Sequence, residues 1–346
     1  MTTTDLTQRL ADATTGALEL FSVHLGCTLG LYKVLARSGP LTPPELAKGA
    51  GIHERYAREW LEQQAVAGFL SYDGDAFALP SEHHGALLDP LDGDHVAPLA
   101  SMTVGIAGAL DEVAQAYRTG GGVPYAHYGA HFRHGQGAIN RPAFSSDLVK
   151  SWLPAVEGVE GLLVAGARVV DVGTGLGWSA IAVKTSGPMV DVVGVDTDEA
   201  SVAEARANAE AAGADVRFGV ADPSRRDLGV GPVDVVLVLE ALHDMARPVE
   251  VLAAVRASLR PGGIVVVADE AVAASFTAPG DDVERMMYGW SVTHCLPASM
   301  AEQPSLALGT VLRPDTLAAL AADAGFANCD VVDVDAGFFR IYRLTN

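Results

Sequence analysis

The chain has 346 residues, 49% of them hydrophobic, and carries 43 Asp and Glu against 23 Lys and Arg, a formal net charge of −20. That length allows two domains and a sizeable core, and a balance so acidic excludes nucleic acid or anionic membrane as a partner unless a local basic face exists, which no Lys/Arg cluster provides. No stretch of about 18 apolar residues lacks charge or punctuation, no basic patch precedes an apolar N-terminal core, and Cys27, Cys295 and Cys329 are too scattered for a disulfide framework or zinc knuckle, so a cytoplasmic location is expected.

Residues 1–95 read as mostly helical. In "LTPPELAKGAGIHERYAREWLEQQAVAGFLSYDGDAFALP" (41–80), Thr42 is placed to cap a helix that opens on prolines, and a second amphipathic helix spans about 53–67. A short hairpin then turns at Asp73-Gly74. Helix, helix and β-wing make a winged-helix-like arrangement, yet residues 1–100 hold six Lys/Arg against thirteen Asp/Glu. A surface that reads phosphates needs the reverse balance, so this region is expected to be a dimerisation domain, giving a homodimer.

Residues 96–165 read as a helical linker and active-site loop region. Within it "RTGGGVPYAHYGAHFRHGQGAINRP" (118–142) is rich in Gly, Tyr, His and Arg and predicts an unusually long loop, of the kind that is functional rather than structureless. From residue 166 to 346 strands alternate with helices: "ARVVDVG", "VDVVGVD", "DVRFGVAD", "VDVVLVLEA" and "GGIVVVADE" as strands, with helices over 177–186, 199–212, 248–259 and 313–324. "CDVVDVD" and "GFFRIYRL" close as two more strands, and 275–312 forms an insertion, a lid, after the fifth strand. Unbroken apolar runs in the middle strands belong to a parallel sheet covered on both faces, so the fold class is α/β, a doubly wound Rossmann-like sheet behind the helical N-terminal domain.

"VVDVGTGLGWSAI" (169–181) sets Gly173, Gly175 and Gly177 between the first strand and its helix, where bare backbone lets a ligand approach closely. The acid Asp171 precedes the glycines, whose spacing is G-x-G-x-G and not the G-x-G-x-x-G of dinucleotide enzymes. The second strand ends in Asp196, suited to a ribose diol, and "VADP" offers Asp222 for an adenine amine.

On these residues, and on the "LRPGG" turn (259–263), the segment 169–270 resembles the class I S-adenosylmethionine-dependent methyltransferases. The resemblance implies S-adenosylmethionine as cofactor, with Asp171, Gly173 and Gly175 at its methionine end, Asp196 on the ribose and Asp222 on the adenine. Glu240, just before the end of the fourth strand, is a further candidate for the methionine amine or for taking a proton.

That strand ends "LEALHDMARP", with His243 and Asp244 beside the expected methyl position. Three readings stand. In the first, Asp244 caps a turn and His243 merely packs. In the second, His243 is a general base, as in the small-molecule O-methyltransferases that share this winged-helix architecture and His-Asp pair, giving an O- or N-methyltransferase without metal. In the third, both bind a metal: two His and one carboxylate form a facial triad with open positions, and the lid carries His294.

The set His243, Asp244 and His294 resembles that of the metal-dependent α-keto acid C-methyltransferases of nonribosomal peptide biosynthesis. That resemblance implies methylation of C3 of a keto acid through a metal-chelated enolate, with zinc or iron equally suited, to supply a β-methyl amino acid for antibiotic biosynthesis. Tyr125, His127, Phe144, Met287 and Trp290 are the expected substrate wall; mostly apolar, they suggest a 4-methyl-2-oxopentanoate-like or aromatic keto acid. A winged-helix regulator that senses S-adenosylmethionine is a further alternative, opposed by the acidic N-terminal region.

Overall fold

The computed structural model describes residues 3–224 and 230–346. By internal contacts the chain divides into two compact units. One comprises the residues up to Ala107 together with Ala130–Pro142, and the other Gly108–Gly129 with Ala143–Asn346.

The first unit is helical around one small hairpin. A long helix, Thr3–Thr28, is followed by Leu31–Ser38, Pro43–Ala50 and Glu54–Val66, then strands β1 (Ser71–Tyr72) and β2 (Phe77–Ala78). Thr42 and Glu45 form a reciprocal capping box at the Pro43 helix, satisfying amide groups that the first turn cannot. At the hairpin tip Asp73 Oδ1 accepts from the amides of Asp75 and Ala76. Leu31, Leu35, Leu46, Leu61, Trp60 and Phe77 close the core. Leu6, Leu10, Leu18 and Leu25 of the first helix, spaced at near-helical repeats, remain exposed.

The second unit is built on a seven-stranded sheet in the order β5-β4-β3-β6-β7-β9-β8. The strands are β3 (Arg168–Val172), β4 (Asp191–Asp196), β5 (Arg217–Val220), β6 (Val233–Leu239), β7 (Leu259–Glu270), β8 (Asn328–Val331) and β9 (Phe339–Thr345). The first five run parallel; β9 pairs antiparallel to both β7 and β8. Alternate residues of the middle strands feed two cores. Val169, Val235, Leu237 and Leu239 meet Ala180, Ile181, Val202 and Ala205 on one face. Val170, Val172, Val236 and Val238 meet Val251, Leu252, Val255 and Leu317 on the other. Each such side chain contributes roughly 1.5–3 kcal/mol on burial, which is why these strands read as unbroken apolar runs. The doubly wound expectation is met, strand by strand.

Two expectations need correction. The stretch 118–142 is not a long loop: after Tyr125–Tyr128 the chain enters a helix, Gly129–Pro142, and continues as a π-helical segment, Ala143–Trp152. Phe132 and Gly135 bury there, and a Cβ on Gly135 would stand 2.7 Å from Met102, so that glycine serves packing rather than flexibility. Second, "LRPGG" lies within β7, where the register shifts between Val233 and Val235, taking up the extra residues as a bulge.

Candidate active site

In open α/β sheets ligands bind beyond the carboxyl ends of the strands, where the strand order reverses. Here that point lies beside β3, between β4 and β6. Gly173 (φ 74), Gly175 (φ 51) and Gly177 (φ 83) all occupy the left-handed region between β3 and the helix Trp178–Ser186. A Cβ on Gly173 would come 2.6 Å from Cβ of Ala241, and one on Gly177 2.8 Å from the Phe218 ring. The loop is therefore a bare-backbone cradle pressed against the exit of β6.

Two of the acids predicted for the cofactor, Asp171 and Asp196, bond to this loop. Asp171 is buried and accepts from the hydroxyls of Thr174 (2.6 Å) and Ser179 (2.5 Å). Burial pushes its carboxyl up to about 6, with the two hydroxyls pulling the other way. Asp196 accepts from the amides of Gly175 (2.8 Å) and Asp198 (2.9 Å), so the acid of the second strand also shapes the glycine loop. Asp222 accepts from the amide (2.9 Å) and hydroxyl (2.6 Å) of Ser224 and faces Arg247 at 3.3 Å; Arg247 reaches on to Glu302 of the lid.

β6 delivers the reactive side chains. Glu240 holds φ 49, rare for a residue with a side chain, while its amide still bonds Ala268 O at 2.8 Å. This kink converts the strand into a single tight turn, Leu242–Asp244. Two neighbours that a regular strand would send to opposite faces thereby converge: His243 Nε2 lies 3.5 Å from Asp244 Oδ1. Behind His243, Nδ1 lies 3.1 Å from both carboxylate oxygens of Asp269 and 3.6 Å from Glu270 Oε2. Burial alone would lower the His243 imidazole, but Asp269, Glu270 and Asp244 more than offset it and hold it well above the ordinary histidine value.

The lid closes the cluster. After the helix Asp282–Trp290 a π-helical turn, Ser291–Cys295, buries both His294 and Cys295; such turns widen the helix and often mark functional sites. The donor atoms of His243, Asp244 and Cys295 lie within 4.8 Å of one another. His294 stands beside them, its Nδ1 3.4 Å from Cys295 Sγ and its ring edge-on to Tyr128 (4.4 Å) and Tyr125 (5.8 Å). Burial drives its imidazole down to about 4 and the Cys295 thiol up to about 12. The lid itself is anchored by Glu284, buried and 2.7 Å from Arg313 Nη1, and by the Tyr128 hydroxyl on Thr293 O (3.1 Å).

The donor set fits a divalent cation: a fixed imidazole, a carboxylate and a thiol converge, and Asp244 Oδ1 is buried with no hydrogen-bond partner among the described residues. Sequence reasoning missed Asp269 and Glu270 as partners of His243, although an acidic pair ending an otherwise apolar strand was the available signal. It also passed over Cys295. Of the expected substrate wall, Tyr125 and Met287 lie near or in the lid, and Trp290 ends its helix. Phe144 is instead core, packed edge-on against Trp152 and beside Phe339. His127 is half-exposed and forms an ion pair with Glu112 (2.7 Å).

Residues 163–307 match the family model described as "Methyltransferase domain", and residues 16–89 that of the "Rv2258c-like winged HTH domain". By the first match residues 163–307 are similar to a methyltransferase domain. The ubiquinone biosynthesis O-methyltransferase of Roseobacter denitrificans is 34% identical over 101 residues, 29% of this chain and 40% of that protein. The chain spans less than half the length of the curated relatives it matches. Among solved structures, mitomycin 7-O-methyltransferase superposes with a TM-score of 0.68 at 22% identity over 99% of this chain and 98% of the other. Human N-acetylserotonin methyltransferase, solved with S-adenosylmethionine, gives 0.71 at 18% over 100% and 99%. At those identities the fold is what is shared. No single helix among the described residues is long and apolar enough to cross a membrane.

Proposed function

We propose that the protein transfers the methyl group of S-adenosylmethionine to C3 of an α-keto acid with an uncharged aliphatic or aromatic side chain. In this reading a divalent cation is held by His243, Asp244 and the lid. The observation that carries it is the buried Asp244 oxygen, without a hydrogen bond among the described residues, 3.5 Å from Nε2 of an imidazole whose other nitrogen is already taken by Asp269. A divalent cation bound there supplies Lewis acidity to the keto oxygen, which acidifies the adjacent carbon.

The chain's own residues do the rest. Asp269 fixes the His243 ring and its tautomer, leaving Nε2 as the outward donor. Asp269, Glu270 and Asp244 make the space at Nε2 favourable for positive charge. The glycine cradle and Asp171 seat the methionine end of the cofactor, Asp196 and Asp222 its ribose and adenine. Glu240, set at the kink, is our choice to take the C3 proton. C3 then attacks the sulfonium methyl, forming a carbon–carbon bond as the S–CH3 bond breaks and S-adenosylhomocysteine leaves. Lid residues such as Met287 and Trp290 shield this exchange from water. The product class is a β-methyl keto acid, precursor of a β-methyl amino acid, and the exposed leucines of the first helix support a homodimer through the N-terminal unit.

A second reading has a specific observation behind it: an imidazole oriented by a carboxylate is also the arrangement of a general base for O-methylation. Against it stands the lid thiol: Cys295 Sγ lies with the donor atoms of His243 and Asp244 within 4.8 Å of one another, a convergence that a general base does not need. The test is product analysis with an isotope-labelled methyl donor and 4-methyl-2-oxopentanoate or phenylpyruvate. Label on C3, lost on chelation and restored by metal, supports the proposal; label on oxygen from metal-free protein refutes it.

A further inference from the structure

We infer that the lid's metal ligand is the thiolate of Cys295, with His294 positioning that sulfur rather than binding the ion. The inference rests on the proposed function above and names the donor set of that site. Three observations meet here. The donor atoms of His243, Asp244 and Cys295 lie within 4.8 Å of one another, and Asp244 Oδ1 is buried without a hydrogen bond among the described residues. His294 directs Nδ1 at Cys295 Sγ from 3.4 Å, the place a supporting imidazole takes behind a ligand. Its ring is also held edge-on between Tyr125 and Tyr128, a packing that fixes it where it stands.

The π-helical turn explains how adjacent residues divide these roles: the widened turn brings the 295 side chain inward beside the 294 ring, and both are buried. One imidazole nitrogen, one carboxylate oxygen and one sulfur make a mixed donor set with room for further ligands. Such a set favours a borderline-soft ion of the zinc type over magnesium or calcium, which prefer all-oxygen cages. The keto acid would then fill the open positions through its two oxygens.

The test is Co²⁺ titration of the chelator-treated full chain in a C27S/C329S background, where Cys295 is the one thiol left. One Co²⁺ per chain with a near-ultraviolet sulfur-to-cobalt charge-transfer band is the expected result. The band should persist in H294A with Co²⁺ affinity about 10–100-fold weaker, as for loss of a residue behind a ligand. Stoichiometric Co²⁺ without the band overturns the assignment of Cys295 while leaving the proposed function standing. No Co²⁺ binding at all overturns both.

Discussion

His243 Nδ1 sits 3.1 Å from each carboxylate oxygen of Asp269, an interaction between the exits of two adjacent parallel strands, β6 and β7. Asp269 is buried, so the pair is neither screened by salt nor replaced by water. Asp269→Asn keeps the size but withdraws the negative charge that fixes the imidazole. Metal affinity and turnover are expected to fall about 10–100-fold. Metal-binding titrations and kcat measurements on the variant check this, with circular dichroism confirming the fold.

The glycine loop gives a steric prediction. Gly173 has φ 74, and an added Cβ would collide with Ala241 at 2.6 Å. Gly173→Ala should lower stability by about 1–3 kcal/mol through backbone strain and raise the Kd for S-adenosylmethionine. Gly213, also at positive φ but with open space around its Cβ, is the control: Gly213→Ala should cost stability without altering cofactor affinity. Thermal unfolding with and without cofactor separates the two effects.

Asp171 gives a pH dependence. Burial raises its carboxyl to about 6, above the ordinary aspartate range near 3.8. Between those values the folded state binds the proton more tightly than the unfolded chain, so this group's contribution to stability falls as pH rises from about 4 to 6, then stays flat. The span corresponds to about 3 kcal/mol, an upper figure. Asp171→Asn should flatten that part of the stability–pH curve. Chemical denaturation at pH 4, 5, 6 and 7 would reveal it; an unchanged slope would show that Asp171 ionises normally.

The lid is predicted to depend on a partly buried ion pair, in which the Arg313 side chain stays 15% exposed. Glu284 is buried and meets Arg313 at 2.7 Å, while Arg313 also donates to Ala273 O. Removing one partner of a buried pair costs about 3–5 kcal/mol when the rest stays in place. Glu284→Ala should therefore loosen 275–312 before the sheet, seen as protease cleavage in the lid and a raised KM. Cleavage first at another site would contradict this.

The sheet was legible because its signal is local. Unbroken apolar runs such as "VDVVLVLEA" read as parallel strands buried on both faces, and Gly173 to Gly177 mark the first turn by their spacing. The site was legible only in part. His243 and Asp244 advertise themselves at a strand exit, but Asp269 becomes their partner through the pairing of β6 with β7, which no spacing in the chain reports. Likewise the choice between His294 and Cys295 turns on the π-helical turn Ser291–Cys295, and neighbours in sequence cannot be ranked without it. Phe144 misled because an aromatic beside a Gly-rich stretch looks the same whether it lines a pocket or fills a core. The stretch 118–142 misled because some of its glycines serve close packing, as Gly135 does against Met102.

Whether the site acidifies the carbon next to a keto group can be asked without the methyl donor. The purified protein, loaded with Zn²⁺ and incubated with 4-methyl-2-oxopentanoate in D2O, should exchange the C3 hydrogens measurably faster than buffer, and Asp244→Asn or chelation should abolish the difference. Exchange no faster than in buffer, from protein that still methylates an oxygen of some other substrate, would contradict the account.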